Sequence, residues 1–494
     1  MLEQDDTAPI RAAIPGAEKR SQVAQAQEMN VVPNFLDARG CPTTAANPES
    51  VRLLDHTIEG YLGACADTRD RLDVLLAADP DCVMGHCLDG YFRILSSKRD
   101  SMKHATAVLA AAIAAAARSH PTRREQLHLA ALGAWSQGDM RGAVEHWDTV
   151  LTENPRDIVA LKVSQFVLSY LGESERMRDT VARVLPDWDS AVPGYGFALG
   201  CYAYGLEESG EYGRAEEMGR RAVELNAGDI WAAHAVAHVA EMEGRLHDGI
   251  AWIESASHAW DSCNNFALHL RWHEGLLHLD LERYGRVLEL YDREVRRQQT
   301  DEYLDVTNAV SLLWRLEQAG VDVGGRWREL GDCSRGHVSD HALVFADLHY
   351  LMALAAVNDA AAIDRFLDSC RRFARSGSGT EATVMTEIGL PLADAVLAHR
   401  RGSYGDVVDT LMPLRRTFRR IGASHAQRDV FDQLLIDSAW RGRRLDAAAE
   451  LLAERTARRP RNIWAWKHYA DVLEASGATS AAAARATLDR LRAE

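Results

Sequence analysis

Long apolar runs are missing from this sequence. No stretch approaches the roughly 20 consecutive apolar residues that a membrane-spanning helix requires. The first residues, MLEQDDTAPIRAAIPG, are acidic and lack the apolar core of an export signal. We therefore expect a cytoplasmic protein with no segment inside a membrane.

Cysteine is scarce, and its spacing forms no recognisable motif. The eight cysteines are scattered over 494 residues, and no two of them stand in CxxC spacing. This excludes the paired-cysteine zinc motifs and the dithiol redox motif. In the cytoplasm the thiols are predicted to be reduced and to pack as small apolar side chains.

Positive charge is also in deficit. There are 56 Lys and Arg residues against 72 Asp and Glu residues, a formal net charge of −16. A chain this acidic repels phosphate backbones and anionic lipid surfaces. Nucleic acid and membranes are therefore predicted not to be partners.

Aromatic residues make up only 7% of the chain, while Ala, Leu, Arg and Glu are abundant, which favours helix over strand. Runs such as ATAVLAAAIAAAARS (105–119) have no plausible interpretation as strands. The length exceeds what one compact core accommodates, so several domains or one repeating array are expected.

A repeat is visible in the spacing of turn glycines. Gly138, Gly172, Gly210 and Gly244 follow one another at intervals of 34, 38 and 34 residues, and each precedes an amphipathic segment. The tetratricopeptide repeat, a pair of antiparallel helices, has a period of 34 residues. One such hairpin cannot bury its apolar face alone, so hairpins stack into a curved array.

The predicted fold is therefore an all-α, tetratricopeptide-like superhelix (solenoid). Residues 1–45 are expected to form a partly ordered N-terminal arm. A helical repeat array with a His-rich concave groove is predicted for 46–375, and C-terminal repeats that continue the solenoid for 376–494. The Ser/Gly-rich segment RSGSGTEATV (375–384) marks the division.

The stretch HAVAHVAEME (234–243) carries the main functional signal. It places His234, His238 and Glu241 at i, i+4 and i+7, on one face of a helix. By analogy with tetratricopeptide proteins, this face and Trp231 line the concave groove.

The same pattern recurs one repeat later. His269 and His273 stand 35 residues after His234 and His238, and Asn308 stands 35 residues after His273. Packed helices lie about 8–10 Å apart, so imidazoles from neighbouring inner helices can meet. This register predicts that the four histidines point into one cavity.

Three interpretations of these residues remain open. The polar groove could bind a small molecule or a peptide. It could hold a divalent transition metal such as zinc or iron, with or without catalysis. It could also be a hydrogen-bonded seam inside a protein-interaction scaffold. The candidate metal ligands are His234, His238, Glu241, His269 and His273; Glu274 is expected to orient an imidazole from behind, and no catalytic residue is assigned.

Two further segments supply candidates for the groove. In HVSDHALVFADLHYLM (337–352), His341, Asp347 and His349 could extend it, with Asp347 orienting an imidazole, or the segment could simply cap and pack a helix. In SHAQRDVFDQLL (424–435), Ser424 and Gln427 have capping-box spacing. There Arg428 could bind a carboxylate or phosphate, or Arg428 and Asp429 could serve ion pairs between repeats.

Several motifs together resemble one family. DPDCVMGH (79–86), HPTRREQLHLAAL (120–132), GDIWAAHAVAHVAEMEGRLHDGI (228–250) and IGASHAQRDVFDQLLI (421–436) are similar to segments of tetratricopeptide repeat protein 38 and its bacterial relatives. The resemblance covers about residues 50–440 and implies a helical solenoid, but no reaction. It implies a role for these polar residues: His86, Arg124, His128, His234, His238, His273, His341, Asp347, His349, Gln427, Arg428 and Asp429.

Overall fold

The computed structural model describes residues 34–493, and this part of the chain is almost entirely helical. Its first helices are α1 (Pro48–Leu62), α2 (Thr68–Ala78), α3 (Val83–Leu95), α4 (Arg99–Ser119), α5 (Arg123–Ser136), α6 (Met140–Glu153), α7 (Ile158–Leu171) and α8 (Ser174–Val184). The middle helices are α9 (Tyr195–Glu208), α10 (Tyr212–Leu225), α11 (Ile230–Glu243), α12 (Leu246–Ala256), α13 (Phe266–Asp280), α14 (Tyr284–Leu290), α15 (Tyr303–Gln318) and α16 (Trp327–Ser334). The last helices are α17 (Val344–Ala356), α18 (Ala360–Ser376), α19 (Thr380–Val384), α20 (Leu390–Arg400), α21 (Tyr404–Leu411), α22 (His425–Arg441), α23 (Leu445–Arg458), α24 (Ile463–Ala475) and α25 (Ala481–Ala493).

The helices form stacked antiparallel hairpins, which confirms the predicted all-α, tetratricopeptide-like solenoid. Helices α7, α9, α11, α13 and α15 are the inner helices of successive hairpins. The turns that read NPRD and NAGD end in Asp157 and Asp229. These two side chains accept hydrogen bonds from Ala160 N at 2.9 Å and Ala232 N at 3.0 Å, so each caps the inner helix that follows.

A small antiparallel sheet precedes the helices. Strands β1 (Asn34–Leu36) and β2 (Pro42–Thr44) pair with each other, and the Thr44 hydroxyl donates to Glu125 at 2.7 Å. This attaches the end of the predicted N-terminal arm to α5. The rest of that arm, residues 1–33, lies outside the described residues.

The solenoid closes on itself. The backbone N–H of His425, at the start of α22, donates to Glu208 at 3.0 Å, and Arg315 donates to the carbonyl of Ala426 at 3.1 Å. Near α24, Asn462 donates to Asp280 at 2.6 Å. The C-terminal helices therefore cover part of the concave face, and the residues of the groove under them are buried.

At Gly172 the backbone of α7 comes very close to the C-terminal part of the chain. Its φ of +67° is the left-handed conformation that C-terminal residues of helices often adopt, and a Cβ there would stand 2.2 Å from the carbonyl oxygen of Arg419. Glycine is therefore needed both for the helix end and for the contact with the C-terminal part of the chain.

No helix among residues 34–493 is both long and apolar enough to span a bilayer. All eight cysteines are free, as predicted, and most of them are buried.

One buried carboxyl group should make the fold less stable at neutral pH. Glu381 accepts the backbone N–H of Val344 at 2.8 Å, and burial, only partly opposed by that hydrogen bond, raises its pKa to about 8. The folded protein therefore holds Glu381 neutral at pH 7, whereas the unfolded chain ionises it above its ordinary pKa of 4.5. Because the folded pKa is the higher one, stability falls as pH rises from about 4.5 to about 8.

We expect Glu381→Gln to stabilise the fold at pH 7 by on the order of 2 kcal/mol, since glutamine keeps the acceptor and cannot ionise. Denaturant unfolding at pH 7 and pH 4 checks this, because the gain should vanish at the lower pH. Glu387→Gln, on the exposed face of the same segment, is the control. An equal effect of both substitutions would contradict the assignment.

Candidate metal centre

Four imidazoles meet between two neighbouring inner helices. His234 and His238 come from α11, and His269 and His273 come from α13. The Nε2 atom of His273 lies 3.1 Å from that of His234, 3.0 Å from that of His238 and 3.3 Å from that of His269. The Nε2 atoms of His234 and His269 are 3.1 Å apart. All four side chains are at most 2% exposed.

Three of the four imidazoles are held from behind through Nδ1. His238 Nδ1 lies 3.2 Å from a carboxylate oxygen of Glu207, and His273 Nδ1 lies 3.1 Å from one of Glu241. His269 Nδ1 lies 3.2 Å from the amide oxygen of Asn308. Each of these three nitrogens faces an acceptor, so each carries the ring hydrogen and Nε2 keeps its lone pair.

Burial keeps three of these imidazoles uncharged. The pKa values of His234 and His269 lie well below the ordinary value of 6.5. Burial is the larger cause, and the neighbouring imidazoles lower the two pKa values further. Burial and His238 lower the pKa of His273 in the same direction, against the attraction of Glu207. At neutral pH these rings are therefore neutral, which is the form that binds metals.

Glu207 connects the cluster to the C-terminal helices. One of its oxygens faces His238, and the other lies 2.8 Å from Nε2 of His425. Burial opposes ionisation of Glu207, but His425 and His238 outweigh it and lower its pKa to about 2. Burial likewise opposes charge on His425, yet Glu207 and Glu208 raise its pKa. Glu207 and His425 thus form a buried ion pair behind His238.

A small cavity of about 80 Å³ reaches the cluster. His234 and His269 line it, while His238 and His273 do not. It shares Trp231 and Phe266 with a larger cleft of about 580 Å³ on the concave side, which is within the usual range for small-molecule sites. A ligand in the larger cleft would therefore approach the histidines from the side of His234 and His269.

No protein-family model matches this chain. Comparison with solved structures gives distant matches, among them the following three. The structure of a Rap protein complexed with competence and sporulation factor is 13% identical, covers 72% of this chain and 100% of its own, and has a TM-score of 0.41. The human IFIT1 dimer with m7Gppp-AAAA is 13% identical, covers 92% and 96%, and has a TM-score of 0.41. The structure of Naa15/Naa10 bound to HypK-THB is 10% identical, covers 89% and 68%, and has a TM-score of 0.23. Such distant likenesses carry no information about the site.

The predicted groove residues His341, Asp347 and His349, in and just before α17, contact other parts of the chain. His341 contacts Asp347 through Nδ1 at 3.2 Å, and Ser369 lies 2.8 Å from its Nε2. His349 binds the carbonyl oxygen of Phe345 at 2.8 Å, and burial lowers its pKa to about 3. The predicted orienting role of Asp347 is thus directed at His341, and neither histidine extends the cluster.

The predicted polar residues of α22 are used inside the protein. Ser424 and Gln427 form the predicted capping box, with both of its hydrogen bonds present. Arg428 donates to the backbone carbonyls of Gly422 and Ala423, and Asp429 pairs with Arg455. Arg428 also lies 3.6 Å from Glu208 on α9, so the ion-pair alternative describes both residues, and Arg428 stabilises the turn before the helix as well.

Two acidic residues differ from their expected roles. Glu241 is predicted to be a metal ligand, but its carboxylate contacts Nδ1 of His273, on the opposite side of that ring from the four Nε2 atoms. Glu274 was expected behind an imidazole, but it pairs with Arg271 at 2.7 Å and Arg286 at 3.4 Å. Adjacent residues on a helix point about 100° apart, so Glu274 cannot share the face of His273.

Sequence reasoning missed Glu207 and Lys162. Glu207 precedes Glu241 by 34 residues, so the repeat register that aligned the histidines could have found it. Lys162 and His234 each stand five residues after the aspartate that caps their helix, so the same register could have placed Lys162 on the groove face. It is important because it lies almost fully buried in the wall of the larger cleft.

Proposed function

We propose that this protein binds one divalent transition-metal ion through His234, His238, His269 and His273, and that it presents this ion to a small molecule in the adjoining cleft. The observation that carries the proposal is the convergence of four Nε2 atoms, with four of their six separations at 3.0–3.3 Å and with three Nδ1 atoms held by acceptors. Metal-binding histidines are held in this way through their second nitrogen.

A purely hydrogen-bonded seam accounts less well for this arrangement. His238, His269 and His273 direct Nε2 lone pairs toward the same point, because their hydrogens are on Nδ1. His234 has at most one Nε2 hydrogen to donate, so it can satisfy only one of these neighbours. The other lone pairs would repel one another at these distances, and a cation removes that repulsion.

The distances suit more than one coordination number. Four nitrogens at about 2.0–2.1 Å from zinc in a tetrahedron stand about 3.3–3.4 Å apart, and neighbouring ligands of an octahedral ion about 3.0 Å apart. The observed separations span both values. The small cavity beside His234 and His269 favours an ion with a free position on that side.

A metal-dependent enzyme acting on the bound small molecule is therefore the second candidate function, because catalytic metals keep such a position open.

The predicted family relationship, cellular location and partner are also part of this proposal. The resemblance to tetratricopeptide repeat protein 38 and its bacterial relatives is retained as a proposed relationship, and the cytoplasm as the proposed location. The partner is proposed to be a small molecule rather than a peptide, because the C-terminal helices cover part of the groove. Nucleic acid and membranes stay outside the proposal because of the net charge of −16.

Metal analysis of protein purified without a His-tag tests the proposal. We expect one zinc or iron ion per chain, retained through desalting. After exchange for Co(II), the visible spectrum should report nitrogen ligands, with intense bands for four-coordinate and weak bands for six-coordinate cobalt. Protein that binds none of these metals after reconstitution, although it is folded, would leave the hydrogen-bonded seam as the explanation.

A further inference from the structure

Lys162 lies in the wall of the larger cleft. Lys162, Phe166 and Tyr170 stand at i, i+4 and i+8 on α7, and all three face the cleft. The Lys162 ammonium stands 3.6 Å from the ring centre of Trp231 and 5.2 Å from that of Phe166. A cation over aromatic faces is attracted by them, but they do not neutralise its charge.

In the described part of the chain the Lys162 ammonium forms no ion pair and no hydrogen bond. The residue is only 4% exposed, and burial lowers its pKa, against weaker attraction from Cys201 and Asp229. Asp229 caps α11 with one carboxylate oxygen, and its other oxygen is buried without a hydrogen-bond partner but forms no ion pair with Lys162 among the described residues. A buried, unpaired cation is costly, so this position favours an anion supplied from outside.

The other charged groups of the cleft are already neutralised. Glu302 binds Lys98 at 3.1 Å. Arg69 is paired with Asp89, and with Asp73 at 2.9 Å. Lys162 is therefore the cleft's charge without a partner in the described chain.

Two residues that line the cleft carry a buried hydrogen-bond donor without a partner among the described residues. The donors are the Tyr61 hydroxyl and the Trp231 indole N–H. These two groups and the Lys162 ammonium are thus hydrogen-bond donors that have no acceptor within residues 34–493. A ligand that fits them must bring acceptor oxygens.

The walls of the cleft are flat and aromatic. Trp231 and Phe266 are stacked with ring centres 5.3 Å apart, and Phe166 packs on Trp231 at 5.0 Å. A volume of about 580 Å³ suits a small molecule rather than a folded partner.

We propose that this cleft binds a small organic acid with a flat, unsaturated body, whose carboxylate pairs with Lys162 and whose ring packs on Trp231 and Phe266. This names the ligand class for the cleft beside the metal, and it rests on the proposed function only for the end of the ligand that faces the histidines. The acid-binding part requires no metal.

Binding of 2-naphthoate and of its neutral analogue 2-naphthamide, measured by titration calorimetry on metal-loaded and metal-free protein, tests this proposal. We expect naphthoate to bind more tightly than the amide. Lys162→Met should weaken naphthoate about 10-fold or more, which is the effect of losing one charge-assisted hydrogen bond, while changing amide binding little. Lys162→Arg should restore most of the affinity.

Lys103→Met is the matched control, since Lys103 is an exposed lysine that pairs with Asp100 and does not line the cleft. A far-UV spectrum and a melting curve establish that each variant is folded. Equal binding of acid and amide, an unchanged affinity in Lys162→Met, or no saturable naphthoate binding at millimolar concentration would each overturn the proposal. Metal uptake without naphthoate binding would defeat this inference alone, and Lys162-dependent binding to a protein that takes up no metal would defeat only the proposed metal function.

Discussion

His273→Ala should lose the metal ion while the protein remains folded. The Nε2 atom of His273 contacts those of all three other imidazoles, so this substitution removes the central ligand of the proposed site. Loss of a group that holds a ligand from behind typically costs 10–100-fold in metal affinity, and loss of the ligand itself should cost more than about 100-fold. Competition with a chelator of known affinity, followed by metal analysis, measures this change.

Two comparisons make the result specific. His247→Ala removes an exposed histidine of α12 and should leave affinity unchanged. Glu241→Ala should weaken binding about 10–100-fold, and Glu241→Gln less, because glutamine can still accept the hydrogen of His273 Nδ1. If folded His273→Ala retains one metal ion at unchanged affinity, the four histidines are not its ligands.

Asp157→Ala should produce the largest loss of stability. Asp157 accepts hydrogen bonds from Arg124 at 2.5 Å and His128 at 2.9 Å, and it also caps α7 through Ala160 N. Both partners are at most 2% exposed, so its removal leaves a buried guanidinium with looser contacts, to Asp37 at 3.6 Å and to the carbonyl of Pro42 at 3.4 Å. We expect a cost of about 3–5 kcal/mol in the free energy of unfolding, measured by urea denaturation.

The matched control for Asp157 is another helix cap. Asp139 caps α6 through Gly142 N at 2.9 Å, but its side chain is exposed, so Asp139→Ala should cost only about 1 kcal/mol. Similar losses in the two variants would show that the buried ion pair contributes little.

The effect of Asp157 should also depend on pH. Burial opposes its ionisation, but Arg124 and His128 outweigh burial and hold the pKa of Asp157 far below its usual range. Because the folded pKa is the lower one, the stabilisation is present above the unfolded pKa of about 3.9 and is lost as pH falls below it. The difference between Asp157→Ala and the unaltered protein should therefore narrow below about pH 4.

The sequence by itself determined the helical hairpins and which residues share a face. Both depend on short-range regularities, the 3.6-residue turn and the 34-residue repeat. His234 and His238 share a face because they are four residues apart, and His269 and His273 lie opposite them because consecutive hairpins stack. The same register would have placed Glu207 beside Glu241. It does not reveal that both acids hold imidazoles from behind, since that depends on the rotamers chosen in a packed interior.

Only the tertiary structure decided what surrounds the four histidines. His425 lies behind Glu207, although the two are more than 200 residues apart, and Lys162 lies against Trp231 without an ion-pair partner among residues 34–493. His349 has the chemistry of a ligand but points toward Phe345 and Phe431 instead. These positions follow from the small rotation between successive hairpins, added up over the whole array. That sum depends on side-chain packing at every hairpin interface, so no local pattern in the sequence specifies it.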